Sequence, residues 1–193
     1  MNININTSFK AIIFDMVGVL IFEKEDYKKD LDIEQVEQEF NHIDDNLLVS
    51  DLKSKYQYSD EKINEIMKKI PSKYGKFDDL FNLLSKLKEK YKLAVINNGT
   101  AMTITYFKER FEFNKYFDIF VNSTEVGIRK PDPKIYLLSA NKLGVLPSEC
   151  IYIDDVIENV KVASSLGMIS IYWNSKLPKV ENLKRLLQIV NLS

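Results

Sequence analysis

The sequence predicts an α/β fold, a doubly wound parallel sheet interrupted once by a helical insertion. Three observations carry this. Short, continuous apolar runs recur at residues 11–14, 93–96 and 150–153. That is the form of strands buried on both faces of a parallel sheet, whereas half-exposed strands alternate. Stretches with apolar residues at helical spacing separate these runs, and strand–helix alternation argues for βαβ units. Finally, each run ends in polar residues: Asp15, then Asn97-Asn98-Gly99-Thr100, then Asp154-Asp155. Ligands of open α/β sheets bind outside the carboxyl ends of the strands.

Taken in order, the first run passes at once into Asp15 and then Gly18, which allows a sharp turn or close ligand approach. On its own, Asp15 reads equally as a turn residue or helix cap. From 22 to 75 the pattern is helical. Val36, Phe40 and Ile43 form one set, Leu47, Leu48 and Leu52 a second, and Ile63, Ile66, Met67 and Ile70 a third. The third is expected to be capped by Asp60 and stopped by Pro71. No strand is expected here, and the charge run at 22–32 reads as a solvated helix face. Residues 22–75 are therefore expected to form a helical subdomain over the sheet edge where Asp15 emerges, with 1–21 and 76–193 forming the α/β core.

From residue 76, Phe77, Leu80, Phe81, Leu84 and Leu87 mark a helix. A strand at 93–96, a helix at 102–110 and a strand at 117–121 follow. Pro133 opens a helix that Gly144 terminates. A strand at 150–153, a helix at 158–166 stopped by Gly167, and a strand at 168–172 complete the sheet. The closing stripe of Leu183, Leu186, Leu187 and Val190 reads as packing.

Composition narrows the function. A chain of 193 residues suits one domain with a modest insertion. A net charge of −1 gives no electrostatic case for nucleic acid or an anionic membrane. No apolar run approaches the ~20 residues that span a bilayer, and the polar segment 1–8 is too short for a signal peptide. The single cysteine, Cys150, has no partner for an internal disulfide and reads as a buried structural thiol, fitting a reducing, cytoplasmic setting. His42, the one histidine, has no second His or Cys nearby and is a poor metal ligand.

The strand ends carry the chemistry. Asp15, Asp154, Asp155 and the Asn97 amide should converge on one sheet edge. Three carboxylates and an amide suit a hard divalent cation, Mg2+ above all; without one the acids would repel and their pKa values would rise. Lys130, within Gly127-Ile128-Arg129-Lys130-Pro131-Asp132-Pro133, can balance an anionic nucleophile or a bound phosphoryl group. Singly, Asp154-Asp155 is a helix cap, Lys130 a surface lysine and Asn98-Gly99 a turn. Their order and spacing together form the signal.

That combination resembles the haloacid dehalogenase superfamily of Asp-nucleophile phosphatases and their relatives. Phe14-Asp15-Met16-Val17-Gly18-Val19-Leu20 is similar to the first motif and Val95-Ile96-Asn97-Asn98-Gly99 to the second. Lys130-Pro131-Asp132-Pro133 is similar to the third, and Tyr152-Ile153-Asp154-Asp155 through Asn159, Ala163 and Gly167 to the fourth. The resemblance implies a Rossmann-like core with a small helical cap at 22–75, and a small phosphorylated molecule as substrate. It makes Asp15 the nucleophile that forms an aspartyl-phosphate, with Asp15, Asp154 and the Val17 carbonyl holding Mg2+. Asn97 stands where a Ser or Thr usually binds the phosphoryl group, with Asn98 beside it on the substrate. Lys130 neutralises charge, and Asp155 supports the metal or Lys130.

One position departs from the pattern. The phosphatases carry a second Asp two residues after the nucleophile, which protonates the leaving group and activates water; here it is Val17, expected to be buried. General acid–base catalysis is typically worth ~10²–10⁴-fold. Three readings stay open: a slow or specialised phosphohydrolase, a non-catalytic relative binding Mg2+ and a phosphate ligand, and a branch cleaving carbon–halogen or carbon–phosphorus bonds. The dehalogenases use no Mg2+ and lack the Asp-Asp pair. A phosphonate-cleaving enzyme needs a Schiff-base lysine in the cap, and the sequence singles none out.

Overall fold

In a computed structural model that describes residues 9–190, the apolar runs become the central strands. The reading of residues 1–8 lies outside the described residues. In chain order, β1 (Ala11–Phe14) is followed by β2 (Ile21–Glu23), helices α1 (Leu31–Gln38), α2 (Asp45–Tyr56) and α3 (Asp60–Lys69), a 3-10 turn at Ile70–Lys73, and β3 (Tyr74–Lys76). Then come α4 (Asp78–Lys88), β4 (Lys92–Asn97), α5 (Ala101–Arg110), α6 (Phe113–Tyr116), β5 (Ile119–Asn122), α7 (Ser123–Val126) and α8 (Pro133–Leu143). The chain closes with β6 (Cys150–Asp154), α9 (Ile157–Ser165), β7 (Ile169–Tyr172) and α10 (Lys179–Ile189).

The main sheet has the order β5-β4-β1-β6-β7 and every pairing in it is parallel. Phe14 stands opposite both Val95 and Ile153. One step beyond that register, Asp15 leaves the sheet beside Asp154, and its N–H donates to the Ile153 carbonyl at 2.8 Å. Successive side chains of β1 point to opposite faces. Ile12 and Phe14 join one apolar core with Leu80, Leu84, Phe107 and Leu186, while Ala11 and Ile13 join another with Ile135, Ala140 and Ala163. Burial on both faces is what made β1, β4 and β6 continuous apolar runs. Leu183, Leu186 and Val190 at the C-terminal end are buried in the first core.

The segment between β1 and α4 holds three helices, but it is not free of strands. Its two ends pair as an antiparallel ribbon, with Ile21 opposite Lys76, Phe22 opposite Gly75 and Glu23 opposite Tyr74. Two three-residue strands so far apart in sequence leave no readable period. The charge run also differs from expectation. Residues 24–30 form no helix, and α1 begins only at Leu31, where the Asp30 carboxylate accepts from the Asp32 N–H. The run has no apolar period, so nothing holds one face of a helix against the core. Ser59, not Asp60, caps α3, its hydroxyl accepting from the Lys62 N–H at 3.2 Å.

Lys73 fastens α1 to the ribbon. Its buried ammonium pairs with Glu34 and Glu37, each at 2.7 Å, and with Glu23 at 3.3 Å, and Tyr74 donates its hydroxyl to Glu37 at 2.6 Å. The apolar faces of the insertion, including Ile33, Val36, Leu52, Ile63 and Met67, run on without a break into the core that contains Phe14. Among the described residues, no helix is long and apolar enough to cross a membrane.

Phe113 is buried among Phe81, Phe111, Phe117 and Phe120, with ring centroids 5.6–6.1 Å away. Phe113→Ala should cost about 3–5 kcal/mol. Urea unfolding followed by the fluorescence of Trp173, the single tryptophan, reads the loss as a lower midpoint.

Candidate active site

Each strand end delivers its group to the same edge of the sheet. Asp15, immediately after β1, is buried, and Lys130 donates from its ammonium to Asp15 Oδ1. The same ammonium donates to Asp154 Oδ2 at 2.8 Å at the end of β6. Lys130 lies on the loop between α7 and α8, and Asn98 holds that loop: its Nδ2 donates to the Lys130 carbonyl at 2.9 Å and its Oδ1 accepts from the Lys130 N–H at 2.8 Å. The Asn98 side chain, expected on the substrate, is thus a clamp on the lysine's backbone.

Asp154 is surrounded by donors. Its Oδ2 accepts from the Tyr152 hydroxyl as well as from Lys130, its Oδ1 accepts from the Val156 N–H at 2.8 Å, and Asn159 Nδ2 reaches both oxygens at 3.0 Å. Asp155 differs: among the described residues no other side chain bonds its carboxylate, which accepts from its own backbone N–H. One oxygen from each of Asp15, Asp154 and Asp155 lies within 4.8 Å of the others. Gly18, at φ +96°, makes room for this group, because a Cβ there would stand 2.3 Å from Asp155 Oδ2. The carbonyl of Val17 accepts no hydrogen bond among the described residues. Val17 is 38% exposed, not buried as expected. It sits on a turn outside the sheet, where the Gly18 N–H bonds the Ile21 carbonyl at 2.8 Å.

Burial raises the Asp15 carboxyl above its ordinary range; Lys130 opposes the rise and Asp154 adds to it. Burial raises Asp155 too, with Asp154 adding to the shift. Burial works against the charge on Lys130, but Asp15 and Asp154 outweigh it and its pKa is raised. Three acids thus gather around one buried ammonium, which pairs with two of them. Such an excess of carboxylate oxygen fits a hard divalent cation, and the Val17 carbonyl and the Asp155 carboxylate, which no other side chain engages among the described residues, are the donors left for it.

Asn97 ends β4 and is buried. Its Nδ2 donates to Asn122 Oδ1 at 2.8 Å. From the insertion, Asp45 at the start of α2 accepts from the Ala101 N–H at 3.1 Å, and Arg129 donates to the Asn41 carbonyl. These contacts bring residues 41–45 beside the loops that carry Asn98 and Lys130. Sequence reasoning gave no role to Tyr152, Asn122, Asn159 or Asp45. Tyr152 was findable: two residues before Asp154 on one strand, it shares that residue's face.

The remaining candidates lie elsewhere. Cys150 is buried with Sγ 3.4 Å from the Leu146 carbonyl, and burial pushes its thiol up to about 12, as befits a structural thiol. His42 meets Asp51 at 3.0 Å near Glu39, but Lys55 already pairs with both carboxylates.

A family model described as haloacid dehalogenase-like hydrolase matches residues 12–172. The chain is 44% identical over 73 residues to acyl-CoA dehydrogenase family member 10 of Mus musculus, covering 38% of this chain and 7% of that protein. It is 31% identical over 97 residues to the glyceraldehyde 3-phosphate phosphatase of Methanopyrus kandleri, covering 49% of this chain and 42% of that one. The matched part is therefore less than half the length of either relative. A HAD family enzyme of Bacteroides thetaiotaomicron, solved in complex with magnesium and inorganic phosphate, shares the fold. The TM-score is 0.68 at 23% identity, over 85% of this chain and 93% of that chain.

Lys130→Met removes the one cation from a buried acidic cluster and should destabilise the fold by about 3–5 kcal/mol. Lys130 lowers the raised carboxyl of Asp15, so without the ammonium its folded-state pKa should rise further above its unfolded value. The stability Asp15 adds is then present at low pH and lost as pH rises. The deficit relative to wild type should accordingly shrink between about pH 8 and about pH 5. Urea unfolding across that range checks it; a deficit independent of pH would contradict the placement of the charges.

Proposed function

The chain belongs to the haloacid dehalogenase-like hydrolases, and from that premise we propose that it is a Mg2+-dependent phosphohydrolase with Asp15 as nucleophile. Its activity is slow and favours small phosphate esters whose leaving group needs no proton. The observation that carries this reading is the Lys130 ammonium held between Asp15 and Asp154, with the Asp155 carboxylate beside them and bonded by no other side chain among the described residues.

Lys130 engages Oδ1 of Asp15, and Oδ2 carries no hydrogen bond among the described residues. In the first step an Asp15 oxygen attacks phosphorus. The bond from phosphorus to the leaving oxygen breaks, and its electron pair stays on that oxygen. In the second, water attacks the aspartyl-phosphate, releasing inorganic phosphate and restoring the carboxylate. Lys130 balances the charge gathered on Asp15 and the phosphoryl oxygens, and Asn97 donates an amide N–H to one of them. Asp15, Asp155 and the Val17 carbonyl would hold Mg2+, which when bound offsets phosphoryl charge. Asp154, a ligand in the sequence reading and one of the three clustered acids, has both oxygens engaged by donors, and on this proposal its main work is to aim Lys130. No side chain at Val17 can protonate the leaving oxygen, so aryl and acyl phosphates, stable as departing anions, are favoured over sugar phosphates.

Residues 22–75 are the proposed cap. The support is the pair of contacts, Asp45 to Ala101 and Arg129 to Asn41, that set the insertion against the two loops flanking the site. A phosphonate-cleaving role would need a cap lysine that loses its proton readily. Partner carboxylates raise the pKa of Lys55, Lys62 and Lys73 instead.

Calorimetric titration with Mg2+ tests the ligand set. Asp15→Asn and Asp155→Asn should weaken binding most and Asp154→Asn less; equal affinity in all of them and wild type would rule the set out.

Steady-state assays test the chemistry. Wild type should turn over p-nitrophenyl phosphate and acetyl phosphate weakly and sugar phosphates almost not at all. Val17→Asp, at an exposed position, should raise the sugar-phosphate rate by ~10²–10⁴-fold. Should that variant fold, bind Mg2+ and show no activity above Asp15→Asn, a binding role replaces the catalytic one.

A further inference from the structure

Asn122 ends β5, stands opposite Asn97 in the parallel register, and is fully buried despite its polar side chain. Its Nδ2 donates to the Gly99 carbonyl at 2.9 Å and to Thr124 Oγ1 at 3.0 Å. A carbonyl has no proton to give, so the Asn122 amide cannot be turned end for end without setting two acceptors against each other. Its Oδ1 must therefore face Asn97, and Asn97 Nδ2 donates to it at 2.8 Å. That settles Asn97 as well, because a turned Asn97 would set oxygen against oxygen. Gly99 completes the frame: its N–H donates to Ser123 Oγ at 3.1 Å, and a Cβ on it would lie 2.5 Å from Asn97 Nδ2. Of the two protons on Asn97 Nδ2, this network uses one.

We propose that Asn122 is a positioning residue that locks the Asn97 amide nitrogen-first, so that its second N–H is presented to the phosphoryl group at Asp15. The proposal rests on the phosphohydrolase reading. Its physical basis is a difference between side chains. A Ser or Thr hydroxyl rotates to suit its partner, donating or accepting as required. An amide has nearly the same shape at both ends and opposite polarity, and the wrong end would offer an acceptor to an anion. A site that uses Asn here needs something to hold the amide the right way round. A buried asparagine fixed by a backbone carbonyl does that, whereas a hydroxyl at Asn97 would have no use for it.

The test is a double-mutant cycle on the affinity for inorganic phosphate at saturating Mg2+, measured by calorimetry on wild type, Asn122→Leu, Asn97→Ser and the double variant. In the wild-type background Asn122→Leu should weaken phosphate binding about tenfold or more, the worth of a hydrogen bond to a charged group. In the Asn97→Ser background the same change should alter affinity less than about twofold, since no amide remains to be held. Equal losses in both backgrounds would make Asn122 merely structural and overturn the proposal alone. Absence of phosphate binding by wild type would overturn both the proposal and the phosphohydrolase reading. A second measurement needs no folded variant. In the side-chain amide NMR signals of wild type, Mg2+ with phosphate should shift one Asn97 Nδ2 proton and leave the other, bonded to Asn122, in place. Movement of both or of neither would also overturn the lock.

Discussion

The Lys130 ammonium, shared between Asp15 and Asp154, is the interaction on which the site depends. Taking a carboxylate out of water costs several kcal/mol unless a partner is close and the remaining lone pairs are bonded. Here two buried acids lean on one lysine, and the fold is arranged to deliver all three. β1 and β6 run side by side, so Asp15 and Asp154 leave the sheet together. The lysine arrives on a loop from the other side, held by both ends of the Asn98 amide. Tyr152, Asn159 and the Val156 N–H complete the shell around Asp154. Asp155 is the acid that no other side chain bonds among the described residues, and in the proposed metal site it is the carboxylate left for the cation.

A second buried lysine shows what the first is not. Lys73 is ringed by Glu23, Glu34 and Glu37, but those glutamates are partly exposed and water shares their charge. Their work is mechanical: they fasten α1 to the β2–β3 ribbon. At Lys130 the acids are themselves buried, so the charges are unscreened and the carboxyl of Asp15 is displaced from its ordinary range. Perturbation at the ends of the sheet's strands, rather than the mere presence of a buried ion pair, makes this cluster the candidate site.

How far the sequence could be read follows the same physics. β1, β4 and β6 were legible because burial on both faces forces an unbroken apolar run, and their polar termini were legible because nothing apolar follows. β2 and β3 were not, since three-residue strands paired across fifty-odd residues of insertion carry no local period. The 24–30 charge run misled because charge density records contact with water and says nothing of backbone shape. The site residues were legible by type and finer geometry was not. The sequence names Asn98 and Asp154 but cannot show that a backbone clamp occupies one and four donors the other. Nor could it show Val17 on an exposed turn, because an apolar residue in an apolar stretch reads as core.

That exposure changes what the missing proton donor means. A valine buried in the core would seal the position, and no proton could reach a departing oxygen from any side. Val17 instead stands open to solvent. Its neighbour Gly18 closes on Asp155, and the next residues on that side, Val156 and Ile157, are exposed as well. The rim beside Asp15, the proposed nucleophile, therefore offers apolar surface and bulk water where a carboxylate would stand in a complete acid–base site. Water can solvate a leaving anion but is a poor acid, so it supports departure of groups already stable as anions and does little for an alkoxide. Apolar rim atoms gain by covering an apolar leaving group and leave the hydroxyls of a sugar without partners. On the proposed phosphohydrolase reading, the lost acid and the rim would select in the same direction, toward aryl or acyl phosphates, and each would do so independently of how tightly the carboxylates hold a cation.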